Sequence, residues 1–325
     1  MIDIAPGRDT SPAPAPPSPP QAVPCTVCGA VDHRTLYRPR TSPGPVVRCR
    51  RCGMVYVSPR QDQRALIHDG ADVVHDQRLR RSADLRDLAG CWESAALATT
   101  LAQRDARALN HQAALAAIAR HRPPPGTLLD FGCGWGFFLE SARQAGWDVR
   151  GIEPLPGHGV FARGALGLDV VTDTLRPDTF PPASFDVATA FQVFEHLPDP
   201  AAEIDKLHAV LRPGGLIVIE VPNIDTILVP ILRGRHRHFV QDHLWFFGPA
   251  TLARFVQAHG FEVLSTAFPT RRLTVRHVVD HWTARQASPR VAAALHRFAD
   301  RAGALDRTVR VNLHDIVMVI ARKTA

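Results

Sequence analysis

The sequence has little of what several function classes require. No stretch reaches the ~18 consecutive apolar residues of a membrane span, and the opening MIDIAPGRDT is not a basic segment followed by an apolar one, so no secretory signal is expected. Six cysteines in 325 residues are too few for a disulfide scaffold. Lysine is nearly missing: Lys206 and Lys323 stand against 36 arginines, a compositional habit that discounts arginine clusters as functional signals. Hydrophobic content of 45% and charged content of 21% exclude wholesale disorder and collagen-like repeats. The expectation is a soluble, cytoplasmic chain of two or three folded units without a membrane partner.

The net charge of +7 is unevenly placed: residues 25–60 carry +6, 127–223 carry −7 and 224–325 carry +8. Residues 1–24 include a Pro/Ala/Ser-rich stretch with nothing to bury and read as a disordered leader. Residues 61–122 have helical apolar spacing (Leu101, Ala108, Leu115, Ile118) and read as a helical connector, stopped by Pro123–Pro125. From there to 325, short apolar runs (TLLDFG, VRGIEP, LDVVT, FDVATAF, GGLIVIEVP, FEVLSTA, DIVMVIARK) alternate with helical stretches near 137–145, 157–167, 200–211 and 249–259. That alternation predicts an α/β fold with a doubly wound, Rossmann-like, mostly parallel sheet. Segments 224–247 and 271–310, the latter with two amphipathic helical patterns, are expected to cover it.

The first run enters Asp130-Phe131-Gly132-Cys133-Gly134-Trp135-Gly136, a strand, three alternating glycines and then a helix. Glycines permit a tight turn and close approach of a ligand at the carboxyl end of the first strand. The spacing differs from the dinucleotide fingerprint, and the preceding Asp130 suits a cationic ligand such as S-adenosylmethionine better than a pyrophosphate. Seventeen residues past Gly136, the second strand ends in Glu153, placed for a ribose diol.

Together with Phe191-Gln192-Val193-Phe194-Glu195-His196-Leu197-Pro198-Asp199-Pro200 and Leu211-Arg212-Pro213-Gly214-Gly215, these motifs resemble the class I S-adenosylmethionine-dependent methyltransferases. The resemblance implies that Gly132, Gly134 and Gly136 contact the amino-acid part of the cofactor, that Asp130 supports the turn, that Glu153 holds the ribose, and that Phe191 and Gln192 line the methyl-donor pocket. It also implies that Asp173, after the third strand, is near the adenine; otherwise Asp173 is a solvated turn residue.

Cys25-x-x-Cys28-Gly and Cys49-x-x-Cys52-Gly, twenty residues apart, form two knuckles that would complete a closed tetrahedral zinc site, structural and not catalytic. Cys91 and Cys133 read as ordinary buried thiols. A zinc ribbon with this much positive charge makes RNA one candidate partner. A ribbon ahead of this core also resembles the sugar C-methyltransferase group. That resemblance implies a small anionic acceptor, such as a nucleotide-linked sugar. It carries an orienting role onto His196 and a general-base or anchoring role onto His243, with Asp242 beside it to bias the imidazole tautomer. The basic run Arg233-Gly234-Arg235-His236-Arg237-His238 is either a diphosphate contact or a solvated loop. An RNA methyltransferase and a non-catalytic zinc-containing scaffold stand as alternatives.

Overall fold

Short valine-rich runs punctuated by glycine and proline open the described part of the chain, and they pair with one another. In the computed structural model, which describes residues 19–61, 95–286 and 289–324, β1 (His33–Tyr37), β2 (Val46–Cys49) and β3 (Val55–Val57) form an antiparallel meander. Helices α1 (Ala95–Leu101) and α2 (Arg104–Ala119) follow, the second ending shortly before the prolines that cannot continue it. Cys91 and the first part of the connector lie outside the described residues.

The expected alternation then runs β4 (Thr127–Phe131), α3 (Phe137–Gln144), β5 (Asp148–Ile152), α4 (Pro156–Leu166), β6 (Val170–Val171), β7 (Phe185–Phe191), α5 (Pro200–Val210), β8 (Leu211–Pro222). A covering stretch contains α6 (Leu228–Leu232), a 3₁₀ turn (Arg233–Arg235) and β9 (Trp245–Phe246). The chain closes with α7 (Pro249–Ala258), β10 (Phe261–Ala267), β11 (Arg271–Thr274), α8 (Val275–Gln286), α9 (Pro289–Arg301), β12 (Thr308–Val311) and β13 (Ile316–Lys323).

Seven strands form one sheet in the order β10-β13-β8-β7-β4-β5-β6. β8, β7, β4, β5 and β6 are mutually parallel, and β13 runs antiparallel to both of its neighbours. This is the doubly wound α/β sheet that the sequence predicts. Strand order reverses between β4 and β7, the place where such sheets leave a crevice at their carboxyl ends. β7 is buried along nearly its whole length because both faces are covered, which is why it reads as a continuous apolar run. Leu115, Ile118, Phe138 and Trp147 pack one face. On the other, Leu207, Leu252 and Phe255 share a cluster with Cys25 and with Val47 and Tyr56 of the meander.

That shared cluster marks a difference from the expected ribbon boundaries. β3 gains a second partner, β9, the fourth strand of this sheet, with Val55 opposite Phe246 and Tyr56 opposite Trp245. The ribbon sheet therefore contains part of the segment expected to cover the site. The end of the leader is also pinned rather than free, since Gln21 and Arg60 exchange backbone hydrogen bonds of 2.8 and 3.0 Å and Val23 N donates to Ser58 Oγ at 3.1 Å. The two helices expected in 271–310 are present, and β11 and β12 pair at their base, a hairpin-like ladder that the helical pattern conceals.

Candidate functional site

The glycine turn after β4 has three glycines at positive φ, and they do different work. A Cβ on Gly132 (φ +74°) would stand 2.6 Å from Val193 Cγ2, and one on Gly136 (φ +82°) would stand 2.7 Å from Leu168 Cδ1. Both positions are closed by packing. Gly134 (φ +53°) faces open space, with nothing within 4 Å of where its Cβ would be. It is the point of the turn where another molecule could lie against the backbone. Cys133 is a buried thiol, as expected, packed so that a Cβ on Gly151 would meet its sulfur at 2.7 Å.

Two acids stand behind this turn. Glu153 bridges it: Gly134 N donates to one carboxylate oxygen at 2.8 Å and Leu155 N to the other at 2.9 Å. Each oxygen keeps a lone pair for a further donor, such as a ribose hydroxyl. Asp130 is buried and accepts a 2.6 Å hydrogen bond from Thr189 Oγ1. Burial pushes its carboxyl up to about 7, Thr189 pulls it down, and the charge of Glu153 raises it further. A cationic ligand at the turn would oppose both raising effects. Asp173 instead caps its own turn, accepting from Thr174 N at 2.7 Å and pairing with Arg176, as a solvated turn residue does.

At the neighbouring strand end, Phe191 meets Phe138 edge-on at 4.7 Å. Gln192 takes φ +58°, a conformation unfavourable for a side chain, and is held there by two bonds to Glu220, at 2.8 Å through its backbone N–H and 3.2 Å through Nε2. Val193, which closes Gly132, then leads into Glu195 and His196, so the glycine turn and the second half of the site abut.

The histidines expected to matter come together. His196 and His243 have ring centroids 4.7 Å apart at 80°, and His238 lies 6.3 Å beyond His243. Asp242, however, serves the other histidine: its carbonyl oxygen is 3.0 Å and its carboxylate 3.4 Å from His196 Nδ1. A carbonyl only accepts, so His196 carries its proton on Nδ1 and turns the lone pair of Nε2 inward. The arrangement differs from the expected tautomer bias on His243 because residues 240–243 form a turn, with His243 N bonded to Val240 O, and the adjacent side chains diverge.

Sequence reasoning missed the third member. Glu195 is 1% exposed, and neither of its carboxylate oxygens has a hydrogen-bond partner. Burial pushes its carboxyl up to about 8, its own backbone N–H pulls it down, and the charges of Glu220 and Asp242 raise it further. Burial and the neighbouring His196 push His243 down to about 4, and His243 Nδ1 is likewise buried without a partner. The Glu-His dipeptide stood in the sequence, but burial cannot be read from a single chain.

The basic run before this pair splits by side. His236 and His238 are buried, Arg237 is paired with Asp315, and Arg233 and Arg235 face out. The meander locks the whole stretch from behind. Leu244 O accepts from Val57 N at 2.9 Å, Tyr56 stacks on Trp245 at 5.5 Å, and the Arg60 guanidinium lies over the Trp245 ring at 4.6 Å. Leu244 N in turn donates to Glu195 O at 2.7 Å, joining the ribbon side to the β7 side.

The four paired cysteines converge as their spacing predicts. The Cys25–Cys52 and Cys28–Cys49 sulfurs are 3.4 and 3.6 Å apart, too far for a disulfide, and the four donors lie within 4.8 Å of one another. A tetrahedral zinc with bonds of ~2.3 Å sets its sulfurs ~3.8 Å apart, so the donor set fits such an ion.

Comparison with known proteins agrees with this geometry. A family described as "Methyltransferase domain" matches residues 100–266. Among curated proteins, the chain is 31% identical over 151 residues to a ubiquinone biosynthesis O-methyltransferase of Paraburkholderia phymatum, covering 41% of this chain and 63% of that one. It is 31% identical over 157 residues to the protein of the same name from Aeromonas salmonicida, covering 42% and 63%. The chain thus spans less than two thirds of the length of these relatives. A solved S-adenosylmethionine-dependent methyltransferase from Archaeoglobus fulgidus is 19% identical, with a TM-score of 0.43 over 66% of this chain and 94% of that one. With a family match over half its length on a doubly wound sheet, the chain belongs to the methyltransferase domain family, class I in architecture.

Proposed function

We propose that the protein transfers a methyl group from S-adenosylmethionine to a small anionic acceptor held near the histidine pair. The observation that carries this reading is the open face of Gly134 backed by Glu153 and Asp130. Glycine gives a ligand access to the backbone there, one carboxylate keeps lone pairs for a diol, and a second acid favours a cation. Bound there, the cofactor supplies an electrophilic methyl on a sulfonium. The chain's own part is to bind and aim: Glu153 holds the ribose, Gly134 passes the amino-acid portion, and Phe191 and the strained Gln192 shape the wall facing the methyl. Most of the acceleration then comes from positioning donor and acceptor in line.

On the acceptor side His196 and His243 anchor the reacting group, with Asp242 orienting His196. Two chemistries fit a small anionic acceptor: a carbon of a nucleotide-linked sugar, and a hydroxyl. The hydroxyl gains support from the curated relatives, whose names describe O-methyltransferases. The cysteine cluster holds a structural Zn²⁺. The ribbon acts as a scaffold, because its last strand pairs with β9 and Arg60 is spent on Trp245 rather than offered to a polyanion such as RNA.

The test is calorimetric titration of S-adenosylmethionine into wild type and Glu153→Ala. Removing hydrogen bonds to a charged group should weaken binding by about tenfold or more. No binding to a folded, zinc-loaded wild type would overturn the reading in favour of a non-catalytic scaffold.

A further inference from the structure

We propose that Glu195, His196 and His243 bind one divalent first-row metal ion, separate from the cysteine cluster, beside the acceptor position. One donor from each residue falls within 4.8 Å of the others, although His243 comes from a turn 47 residues beyond His196. Glu195 Oε1 is 3.9 Å from His196 Nε2. Donors on a tetrahedral ion with ~2.1 Å bonds sit ~3.4 Å apart, so the Glu195–His196 pair needs a closure of about half an ångström to share one ion.

Three features distinguish this cluster from a casual meeting of polar side chains. First, a buried carboxylate without partners is costly, and native proteins compensate it with hydrogen bonds, counter-charge or metal. The Glu195 main chain is fixed by Leu244 N and Trp245 N on its carbonyl, at 2.7 and 3.2 Å, while neither carboxylate oxygen has a hydrogen-bond partner on another residue. Second, the His196 tautomer is set by its outer partner. With Nδ1–H given to Asp242, only Nε2 can donate a lone pair, and it is the nitrogen facing Glu195. Metal-bound histidines are oriented in this way by a carbonyl or carboxylate behind the ring. Third, His243 holds a buried Nδ1 without a partner, a donor already stripped of water.

Two imidazoles and one carboxylate suit zinc, iron, cobalt or manganese better than magnesium or calcium, and three protein ligands leave a position open for another molecule. The inference rests on the acceptor-side reading above and sharpens it: the histidines anchor the acceptor through the ion. An acceptor hydroxyl bound at the open position would be acidified by the metal. Its O–H bond breaks and the proton passes to solvent. An oxygen lone pair then forms the O–CH₃ bond while the S–CH₃ bond breaks with its electron pair left on sulfur, so the sulfonium becomes a neutral thioether.

The experiment uses the full, zinc-loaded chain and Mn²⁺ alone, because manganese prefers nitrogen and oxygen donors to a thiolate cage. Free Mn²⁺ is followed by electron paramagnetic resonance in wild type, Glu195→Gln and His243→Asn, with melting temperature and S-adenosylmethionine affinity recorded on the same samples. The expected result is one Mn²⁺ per wild-type chain and at least about a tenfold weaker site in each variant. No stoichiometric binding at millimolar Mn²⁺, or equal binding by folded variants, overturns the proposal. Should Glu195→Gln fail to fold, His243→Asn decides it, and the wild-type stoichiometry decides it without either. Mn²⁺ binding without S-adenosylmethionine binding would sink the methyltransferase reading and leave the metal site standing; the reverse would do the opposite.

Discussion

Two strand ends only one strand apart in this sheet are organised in opposite ways. At the end of β4, most of the parts that shape the glycine turn lie between Asp130 and Glu153, a span of two strands and one helix, with Leu155, Leu168, Thr189 and Val193 contributing from outside it. At the end of β7, Glu195 and His196 meet His243 only because Leu244 and Trp245 are bound on one side to Glu195 and on the other to β3 of the cysteine ribbon. The β4 end, the proposed cofactor site, is largely a local structure and should tolerate change elsewhere. The acceptor end is an assembly of three distant segments, and its geometry depends on the ribbon staying folded.

The largest separation of the two ends should come from removing the zinc proposed for the cysteine cluster. A Cys49→Ser substitution, or chelation, should open the ribbon and cost on the order of 5 kcal/mol or more, because the binding energy of a structural zinc is folding energy. Hydrogen exchange should show lost protection at Val55–Val57 and Leu244–Phe246, while S-adenosylmethionine affinity of the remaining folded protein stays within about twofold, as distant sites act nearly independently. A cofactor affinity that collapses together with the β9 amides would break the comparison.

The glycine turn offers the next test, within the cofactor end itself. Gly132→Ala meets both positive φ and Val193, and should lose about 2–3 kcal/mol of stability. Gly134→Ala meets positive φ alone, about 1 kcal/mol, yet its methyl projects into the open face and should weaken S-adenosylmethionine by about tenfold or more. Melting curves and calorimetry on both variants should therefore rank them in opposite orders. Wild-type affinity in Gly134→Ala would mean that no ligand lies against that backbone.

The legibility of the sequence follows the same division. Strand–glycine–helix patterning and the acid at the end of β5 are adjacent in the chain, so β4, α3, β5 and the placing of Gly134 and Glu153 at one turn could be read as spacing. The cysteine pairs could be read because a metal knuckle is itself a local motif. The β3–β9 pairing was hidden, since a two-residue strand, Trp245–Phe246, leaves no periodicity to detect. Glu195 was hidden for a different reason: in Phe194-Glu195-His196 the residue type suggests a solvated helix entry, and only tertiary packing buries it. Asp242 was assigned to its sequence neighbour when the turn at 240–243 had already sent its side chain to His196.

Trp245→Phe probes the join between ribbon and site more gently. It removes the indole N–H bond to Leu197 O at 2.6 Å and thins the ring beneath Arg60. The expected cost is about 1–2 kcal/mol of stability. Acceptor KM should rise while cofactor affinity holds, a split measured by steady-state kinetics beside calorimetry. Equal losses in both would show the strand ends to be one cooperative unit.

The smaller effect on cofactor binding belongs to Asp130 and is read by pH. Its carboxyl, raised by burial to about 7 in the ligand-free fold, binds a proton that the unfolded chain has released above its usual value near 4. Stability from this group is fully present below about pH 4 and is lost as pH rises to about 7, at no more than ~1.4 kcal/mol per unit. A cationic cofactor at the turn reverses the preference, because it favours the carboxylate. Binding should therefore release a proton below about pH 7 and strengthen severalfold as pH climbs to that value, then level off. Calorimetry in two buffers of different ionisation heat would show the proton release. Asp130→Asn, still able to accept from Thr189 through its amide oxygen, should bind more weakly and with no such slope. A wild-type affinity that is flat through this range would mean that the cofactor's charge does not reach Asp130, and that the acid behind the turn serves its shape alone.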